Sequence, residues 1–256
     1  MNISERKEKI LELLSEKGEV KVSELSELFN TSNITIRSDL ADLEDKGLLF
    51  RVHGGAVNSY KSYCDMDLKQ RLDTNHKAKL LIAKQAVKNL KEHDTVMFNS
   101  GTTTLTVFRA LPSQLHLNIV TNSIAIALEA SGNPNYNVVL LGGLVNSKYQ
   151  FVYGDDTVNQ LKNYHANKLF LSVDGVTTDG SLTTYYDREA EVARLMLCQS
   201  ASKIIVADST KIGKTAFVNI VNTANDCTLI TDSTTLDSKH IQALKKNLGK
   251  LVVVKE

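Results

Sequence analysis

The chain has 256 residues, 42% of them hydrophobic and 23% charged, with a formal net charge of +1. That length supports a sizeable core and more than one small domain. No apolar run approaches the ~18 residues of a membrane span, and the charged N-terminus lacks a signal-peptide core, so a cytoplasmic protein without membrane contact is expected. Cys64, Cys198 and Cys227 lie far apart and outside any C-x-x-C pattern, which reads as reduced packing residues. The six histidines form no H-E-x-x-H or comparable cluster, so neither a metal nor a cofactor is expected.

Residues 3–17 read as a helix with Ile10, Leu13 and Leu14 as its apolar stripe and Gly18 at its end. Val20 and Val22 suit a brief extended segment. Residues 23–29 form a second helix with Leu25, Leu28 and Phe29 inward. A third helix opens at Ser32, a good N-cap, and places Ile36, Leu40 and Leu43 on one face at i, i+4 and i+7. Its other face carries Asn33, Thr35, Arg37 and Ser38, hydrogen-bonding residues of modest length that suit base edges and phosphates in a major groove. Gly47 is placed to stop this helix. Residues 48–52 read as a strand and Gly54-Gly55 as a tight turn, making a wing. Thr35 and Arg37 are expected in the groove, with Arg51 and His53 on the backbone or in the minor groove. Alone, the segment reads equally well as an amphipathic surface helix followed by a hairpin. Residues 1–60 carry eight basic and eleven acidic side chains, a net of −3, which is not the basic footprint of a nucleic-acid module. If this part binds DNA, its few cations must gather on one face and affinity must lean on an oligomer.

Three domains of organisation follow: a winged helix-turn-helix over 1–57, a polar linker over 58–75, partly helical from 67 to 72, and an alternating region over 76–256. There, a helix over 76–91 presents Leu80, Ala83 and Val87 on one side. Apolar strand-like runs recur at 95–98, 118–120, 137–141, 168–173, 203–207, 228–230 and 250–254. Helical stretches at 103–110, 123–130, 155–161, 188–200 and 238–247 lie between most of them. Continuous apolar runs indicate strands buried on both faces, and their alternation with helices indicates a doubly wound, mostly parallel α/β sheet.

In such sheets ligands bind beyond the carboxyl ends of the strands. Ser100, Gly101, Thr102, Thr103 and Thr104 follow the first run and open a helix, whose N-terminal amides favour an anion. Thr121, Asn122 and Ser123 follow the second, Gly142 and Gly143 the third, and Asp174 and Gly175 the fourth. Lys211 follows the fifth and offers a cation. Each stretch alone is a common turn. Together they suit a small anion carrying hydroxyls, which describes a sugar phosphate. An isomerase or deaminase would need a base in reach of a substrate proton. Asp187, Glu189 and Glu191 stand near enough in sequence, yet acids at a helix start also serve its dipole. No His–carboxylate pair is readable, so no catalytic residue is assigned. An interaction protein that binds neither DNA nor ligand stays as a third reading.

The motifs S-N-I-T-I-R-S-D-L, L-E-D-K-G-L-L-F-R-V-H-G-G-A, N-S-G-T-T-T, V-T-N-S, L-L-G-G, D-G-V-T-T-D-G-S-L-T-T, E-A-E-V-A-R-L-M and A-D-S-T-K-I-G occur in that order. This ordered set resembles the DeoR family of bacterial transcriptional regulators over nearly the whole chain. The resemblance implies a sensor domain similar to sugar-phosphate isomerases behind a DNA-binding module. It implies a repressor of a sugar-utilisation operon, bound to operator DNA as a homodimer or homotetramer and released by a phosphorylated sugar. Three positions depart from the family pattern. Ser38 stands where a second arginine is frequent, Asn99 where aspartate is frequent, and residues 145–148 lack the arginine common after Gly-Gly.

Overall fold

The computed structural model describes residues 3–45, 49–52, 54–58 and 66–255. Gly47, His53 and Cys64 therefore lie outside the described residues. Two compact units divide between Asp67 and Leu68.

The first unit runs α1 (Ile3–Lys17), β1 (Glu19–Lys21), α2 (Val22–Leu28), α3 (Asn33–Asp45), β2 (Leu49–Val52) and β3 (Gly55–Asn58). Its three strands form an antiparallel sheet in the order β1-β3-β2. Ile10 and Leu14 of α1, Leu25 of α2, and Ile36, Leu40 and Leu43 of α3 meet Val20, Leu49 and Ala56 in one core. Two expectations shift by one residue. Val22 begins α2 instead of extending β1, and Leu28 is 61% exposed where an inward side chain was expected. Starting the helix at Val22 puts Val22 and Leu25, at i and i+3, on the buried face and turns Leu28 outward.

The two wing glycines have different jobs. Gly54 sits at φ +85°, a left-handed conformation that side chains resist. Gly55 pairs with Lys21 across β1 and β3, and a Cβ there would stand 2.1 Å from the Val20 carbonyl oxygen.

The second unit opens with α4 (Leu68–Asp73) and α5 (His76–Ala86). Then β4 (Thr95–Phe98), α6 (Thr102–Arg109), β5 (Leu117–Thr121), α7 (Ile124–Ala130) and β6 (Tyr136–Leu140) follow. A hairpin of β7 (Leu144–Asn146) and β8 (Phe151–Tyr153) leads to α8 (Asp155–Leu161) and β9 (Ala166–Ser172). Next come β10 (Gly175–Val176), β11 (Leu182–Thr184), α9 (Asp187–Cys198), β12 (Ser200–Val206) and β13 (Val218–Val221). β14 (Cys227–Asp232), α10 (Ser238–Asn247) and β15 (Lys250–Val254) complete it.

Seven parallel strands lie in the order β15-β14-β12-β9-β4-β5-β6. They match the seven apolar runs, and the fold is doubly wound α/β. One face packs on α8, α9 and α10 through Leu161, Met196 and Leu244. The other packs on α5, α6 and α7 through Ile82, Val107 and Ile126. In β4, Met97 faces the first layer while Val96 and Phe98 face the second, so the run is apolar throughout. The hairpin and the small antiparallel sheet β10-β11-β13 had no counterpart in the sequence reading. Strands of two to four residues give too short an apolar pattern to detect.

The phase of α5 also differs from expectation. Lys79, Ile82, Ala83 and Ala86 are its buried residues, while Leu80 is 41% exposed. The chain order reverses direction across the sheet between β4 and β9, which makes their carboxyl ends the topological switch point.

Candidate nucleic-acid interface and ligand crevice

In the first unit, the Ser32 hydroxyl accepts from the Thr35 amide at 3.1 Å, which caps α3 as its sequence suggested. The Ser32 and Thr35 hydroxyls lie 2.9 Å apart, so the cap also orients Thr35. Asn33, Arg37 and Ser38 are exposed beside them. So is Ile34, at 79%, an apolar side chain the sequence reading left out because it sits off the Ile36–Leu40–Leu43 stripe.

Three acids of α3 are tied down. Asp39 is buried and accepts from Arg6 Nε at 2.6 Å, and Lys7 reaches Asp42 at 2.6 Å. Glu44 takes both the amide of Arg51 at 2.8 Å and its Nε at 2.6 Å. Arg37 and Arg51 flank a shallow pocket of about 410 Å³ between α3 and the wing, floored by Val22 and Leu40. Arg37 and Arg51 thus share one face of the module, and three acids of α3, Asp39, Asp42 and Glu44, are held by α1 and the wing.

In the second unit, the β4–β9 switch point is built by close backbone approach. A Cβ on Gly101 would meet Ser172 Oγ at 2.0 Å, so only glycine lets the loop after β4 reach β9. Asp174 follows β9 and is 6% exposed. Its Oδ1 accepts from Arg71 Nη2 at 3.2 Å, and its Oδ2 accepts from Thr184 Oγ1 at 2.9 Å and the Tyr185 amide at 3.2 Å. Glu189, in the first turn of α9, accepts from Ser100 Oγ and Thr184 Oγ1, each at 3.2 Å. Burial, and then the nearby Asp174 charge, push the Glu189 carboxyl up to about 7, against the pull of Arg71 and the two hydroxyls.

On the far side, Asp208 accepts from Asn75 Nδ2 at 3.1 Å and from Thr210. Lys79 lies within the field of Asp208, Lys211 and Arg71. Burial first, offset by Asp208 and reinforced by Lys211 and Arg71, brings the Lys79 ammonium down to about 8. Lys214 is brought to about 8 by burial and Lys211, with Asp208 opposing. Arg71, Lys79, Lys211 and Lys214 stand with Asp73, Asp174, Asp208 and a Glu189 carboxyl whose raised pKa reduces its negative charge, and the four cations suit an anion.

The expected ligand residues divide into two sets. Ser100, Gly101, Thr102, Thr103, Asp174 and Gly175 follow β4 and β9 at the switch point, and Lys211 follows the neighbouring β12, within the field of Lys79. Thr104 is fully buried, and its hydroxyl donates back to the Asn99 and Gly101 carbonyls. Thr121 donates to the Phe98 carbonyl, Asn122 joins the Ser100 amide to the Val152 carbonyl, and Ser123 caps α7. These four brace the loop with side chains already engaged. Gly142 and Gly143 follow β6, at the sheet edge, where Gly142 donates to Gln160 and Gly143 packs against Thr157 and Tyr153. They are not part of the switch-point loops.

Sequence reasoning missed Arg71, Lys79 and Lys214. For Arg71 no local signal existed, since its partner is 103 residues away. Lys79 left one: a lysine at i with Ile82, Ala83 and Ala86 at i+3, i+4 and i+7, on an otherwise apolar face.

No described helix is long and apolar enough to cross a membrane. Two family models match in succession: the DeoR-like helix-turn-helix domain over residues 6–61 and the DeoR C-terminal sensor domain over residues 74–233. The chain is 33% identical over 254 residues to the HTH-type transcriptional regulator YulB of Bacillus subtilis, covering 99% of this chain and 98% of that one. It is 32% identical to the HTH-type transcriptional repressor CsqR of Escherichia coli, over 89% and 87% of the two chains. It is also 32% identical to a lactose phosphotransferase system repressor of Staphylococcus epidermidis, over 93% and 96%. Among solved structures, ribose 5-phosphate isomerase A of Methanocaldococcus jannaschii aligns at 18% identity and a TM-score of 0.40, over 54% of this chain and 55% of that one. Matched by both models and related over its whole length to such regulators, the chain belongs to the DeoR family of DNA-binding transcriptional regulators.

Proposed function

We propose that this protein represses a sugar-utilisation operon and that a phosphorylated sugar, bound at the β4–β9 switch point, releases it from its operator. The observation that carries the ligand reading is the crowding of Arg71, Lys79 and Lys211 around Asp174 and Asp208, beside the N-terminal turn of α6. Phosphate oxygens suit the cations and the free amides of that turn, while sugar hydroxyls suit a carboxylate such as Asp174. On the DNA side, Asn33, Thr35, Arg37 and Ser38 enter the major groove and Ile34 meets a thymine methyl. Arg51 and the wing hold the backbone, with Ser32 fixing the helix start, and His53, outside the described residues, completes the proposed set. Two or four copies in the cytoplasm set the spacing of the half-sites on operator DNA.

A gel-shift assay with duplex selected from a random pool tests both halves. Arg37→Ala should weaken DNA binding and leave sugar-phosphate binding intact. Lys211→Ala should retain DNA binding and lose release by sugar phosphates. Unchanged operator affinity for Arg37→Ala, or normal release from Lys211→Ala, removes that residue from its role.

One observation favours a second reading, a sugar-phosphate isomerase or deaminase: Glu189 combines deep burial, a raised pKa and a place beside Ser100 in the crevice. Turnover of a panel of sugar phosphates by the purified protein would support it.

A further inference from the structure

The large sheet ends at β6, and exposed apolar side chains collect at that edge. Among the described residues of the second unit, six large hydrophobics are exposed, and four of them lie there: Leu128 of α7, Leu140 of β6, and Leu144 and Val145 of β7. α7 packs on both β6 and β8, so the four belong to neighbouring elements. β6 reads Tyr-Asn-Val-Val-Leu and β7 reads Leu-Val-Asn, with no lysine, acid or proline to guard either strand against pairing.

The hairpin is anchored through its inner strand. Phe151 and Val152 of β8 are buried. The Val152 amide donates to the Asn122 carbonyl at 2.8 Å, Asn122 Nδ2 donates to the Val152 carbonyl at 3.1 Å, and the Ile124 amide donates to the Gln150 carbonyl at 2.9 Å. The outer strand is different. Among the described residues β7 pairs with β8 alone, so one backbone edge of β7 carries no strand. Leu144 is 64% and Val145 56% exposed. Successive residues of a strand point to opposite faces, so the ribbon is apolar on both faces at β7 and this unit covers neither. A two-stranded ribbon is marginal by itself and gains from further strands. Its anchored inner strand holds β7 in place beforehand, which lowers the cost of docking.

We propose that a second copy of this chain docks on this edge, β7 against β7 about a twofold axis at Val145, joining two hairpins into one four-stranded antiparallel sheet. This rests on the oligomeric part of the function proposed above. The occupant follows from self-complementarity, which a twofold contact demands of one surface. Val145 meets its own counterpart, Leu144 stands opposite Asn146, and Leu140 and Leu128 flank the seam. Because the strands run antiparallel, the tip of each hairpin reaches the base of the other. The tip carries Lys148, exposed and lying over the Tyr149 ring. The base carries Asp155 and Asp156, exposed in the first turn of α8. The Thr157 hydroxyl donates to the Gly142 carbonyl at 2.7 Å, which sets that turn beside the start of β7. Tip and base are therefore opposite in charge, and the axis repeats the match on both sides of the seam.

The test uses the full chain. Sedimentation velocity over a dilution series gives the assembly state, and gel shift on selected duplex gives operator binding. Val145→Arg and Val145→Asp each set two like charges face to face across the axis, and each alone should weaken one association step by about tenfold or more. Mixed in equal amounts they set Arg against Asp, and the mixture should associate more tightly than either variant. Val145→Thr, which is β-branched and uncharged, should assemble as the wild type does.

Wild-type association by both charged variants, or a mixture no tighter than its components, would overturn the inference and leave the repressor reading standing. A wild type that stays monomeric throughout the series would overturn both the docking edge and the spacing of half-sites by several copies. Weakened association that the mixture restores, with operator binding unchanged in each variant, would support the docking edge and overturn its part in spacing half-sites. If the charged variants do not fold, amide hydrogen exchange of the wild type decides. Protection over residues 144–146 that rises with protein concentration supports the docking edge, and protection independent of concentration overturns it.

Discussion

Asn99 and Ser172 join the ends of the two strands that flank the switch point. Asn99 Nδ2 donates to the Ser172 carbonyl at 2.9 Å, and its Oδ1 accepts from the Ser172 amide at 2.8 Å. With Asn99 only 2% exposed, both bonds are shielded from water. Asn99 is therefore a staple between the carboxyl ends of β4 and β9.

Asn99→Asp keeps the acceptor for the Ser172 amide and loses the donor to its carbonyl. A buried carbonyl left unpaired costs about 1–3 kcal/mol, and a carboxylate facing it adds repulsion. The folded-state pKa of the new acid would lie above its unfolded value of about 3.9. Its stability would be fullest below that value and lost as pH rises. Urea denaturation should show a deficit against wild type at pH 7.5 that narrows at pH 4.5; equal stability at both would argue against a staple.

The wing separates two kinds of glycine requirement. Gly54→Ala must adopt φ +85° and costs about 1 kcal/mol, with nothing within 4 Å of the new methyl. Gly55→Ala places its methyl 2.1 Å from the Val20 carbonyl oxygen, which is main chain and cannot swing aside. It should part β1 from β3 and abolish operator binding, while Gly54→Ala weakens it slightly. Circular dichroism melts with gel shifts on both variants check the order, and equal effects would contradict it.

Glu189 gives the sensor unit a pH signature. Its folded-state pKa of about 7 lies above the unfolded value of about 4.3, so the protonated form is favoured by folding. That contribution is complete below about pH 4.3 and is lost as pH rises through about 7. Glu189→Gln keeps hydrogen-bonding groups for Ser100 and Thr184 and cannot ionise. It should gain stability relative to wild type between pH 5.5 and pH 8 in urea denaturation. A constant difference between the two proteins would show that Glu189 titrates normally.

The parts of the molecule legible in the sequence are those fixed by local periodicity. Val96, Met97 and Phe98 form a continuous apolar run because β4 is covered on both faces, so the run announces a central strand. Ile36, Leu40 and Leu43 announce α3 because one face alone is buried. The loops after β4 and β9 were legible because polar, glycine-bearing motifs follow such runs. What a short polar side chain bonds to was not legible. Thr104, Thr121, Asn122 and Ser123 have the chemistry of ligand donors, yet carbonyls and amides brought in by other elements take them up. Arg71 was hidden for the same reason: its meaning lies in Asp174, which only the β9 crossover brings near.

The lysines of the crevice predict how ligand affinity depends on pH. Lys79 and Lys214 each titrate near 8 in the folded protein, against about 10.4 when unfolded. In the free protein this sign means that stability rises as pH climbs from about 8 towards 10.4, because the unfolded chain binds the more protons. A bound phosphate reverses the local field and raises both pKa values, so binding near pH 8 takes up protons. Affinity for a sugar phosphate should therefore fall as pH rises above 8, approaching about tenfold per unit for each lysine that titrates. Lys79→Met should bind more weakly at pH 7 and show a shallower decline. Calorimetry at pH 8 in two buffers of different ionisation enthalpy measures the proton uptake directly. Heats independent of the buffer would mean that neither ammonium senses the ligand, and would move the anion site away from these lysines.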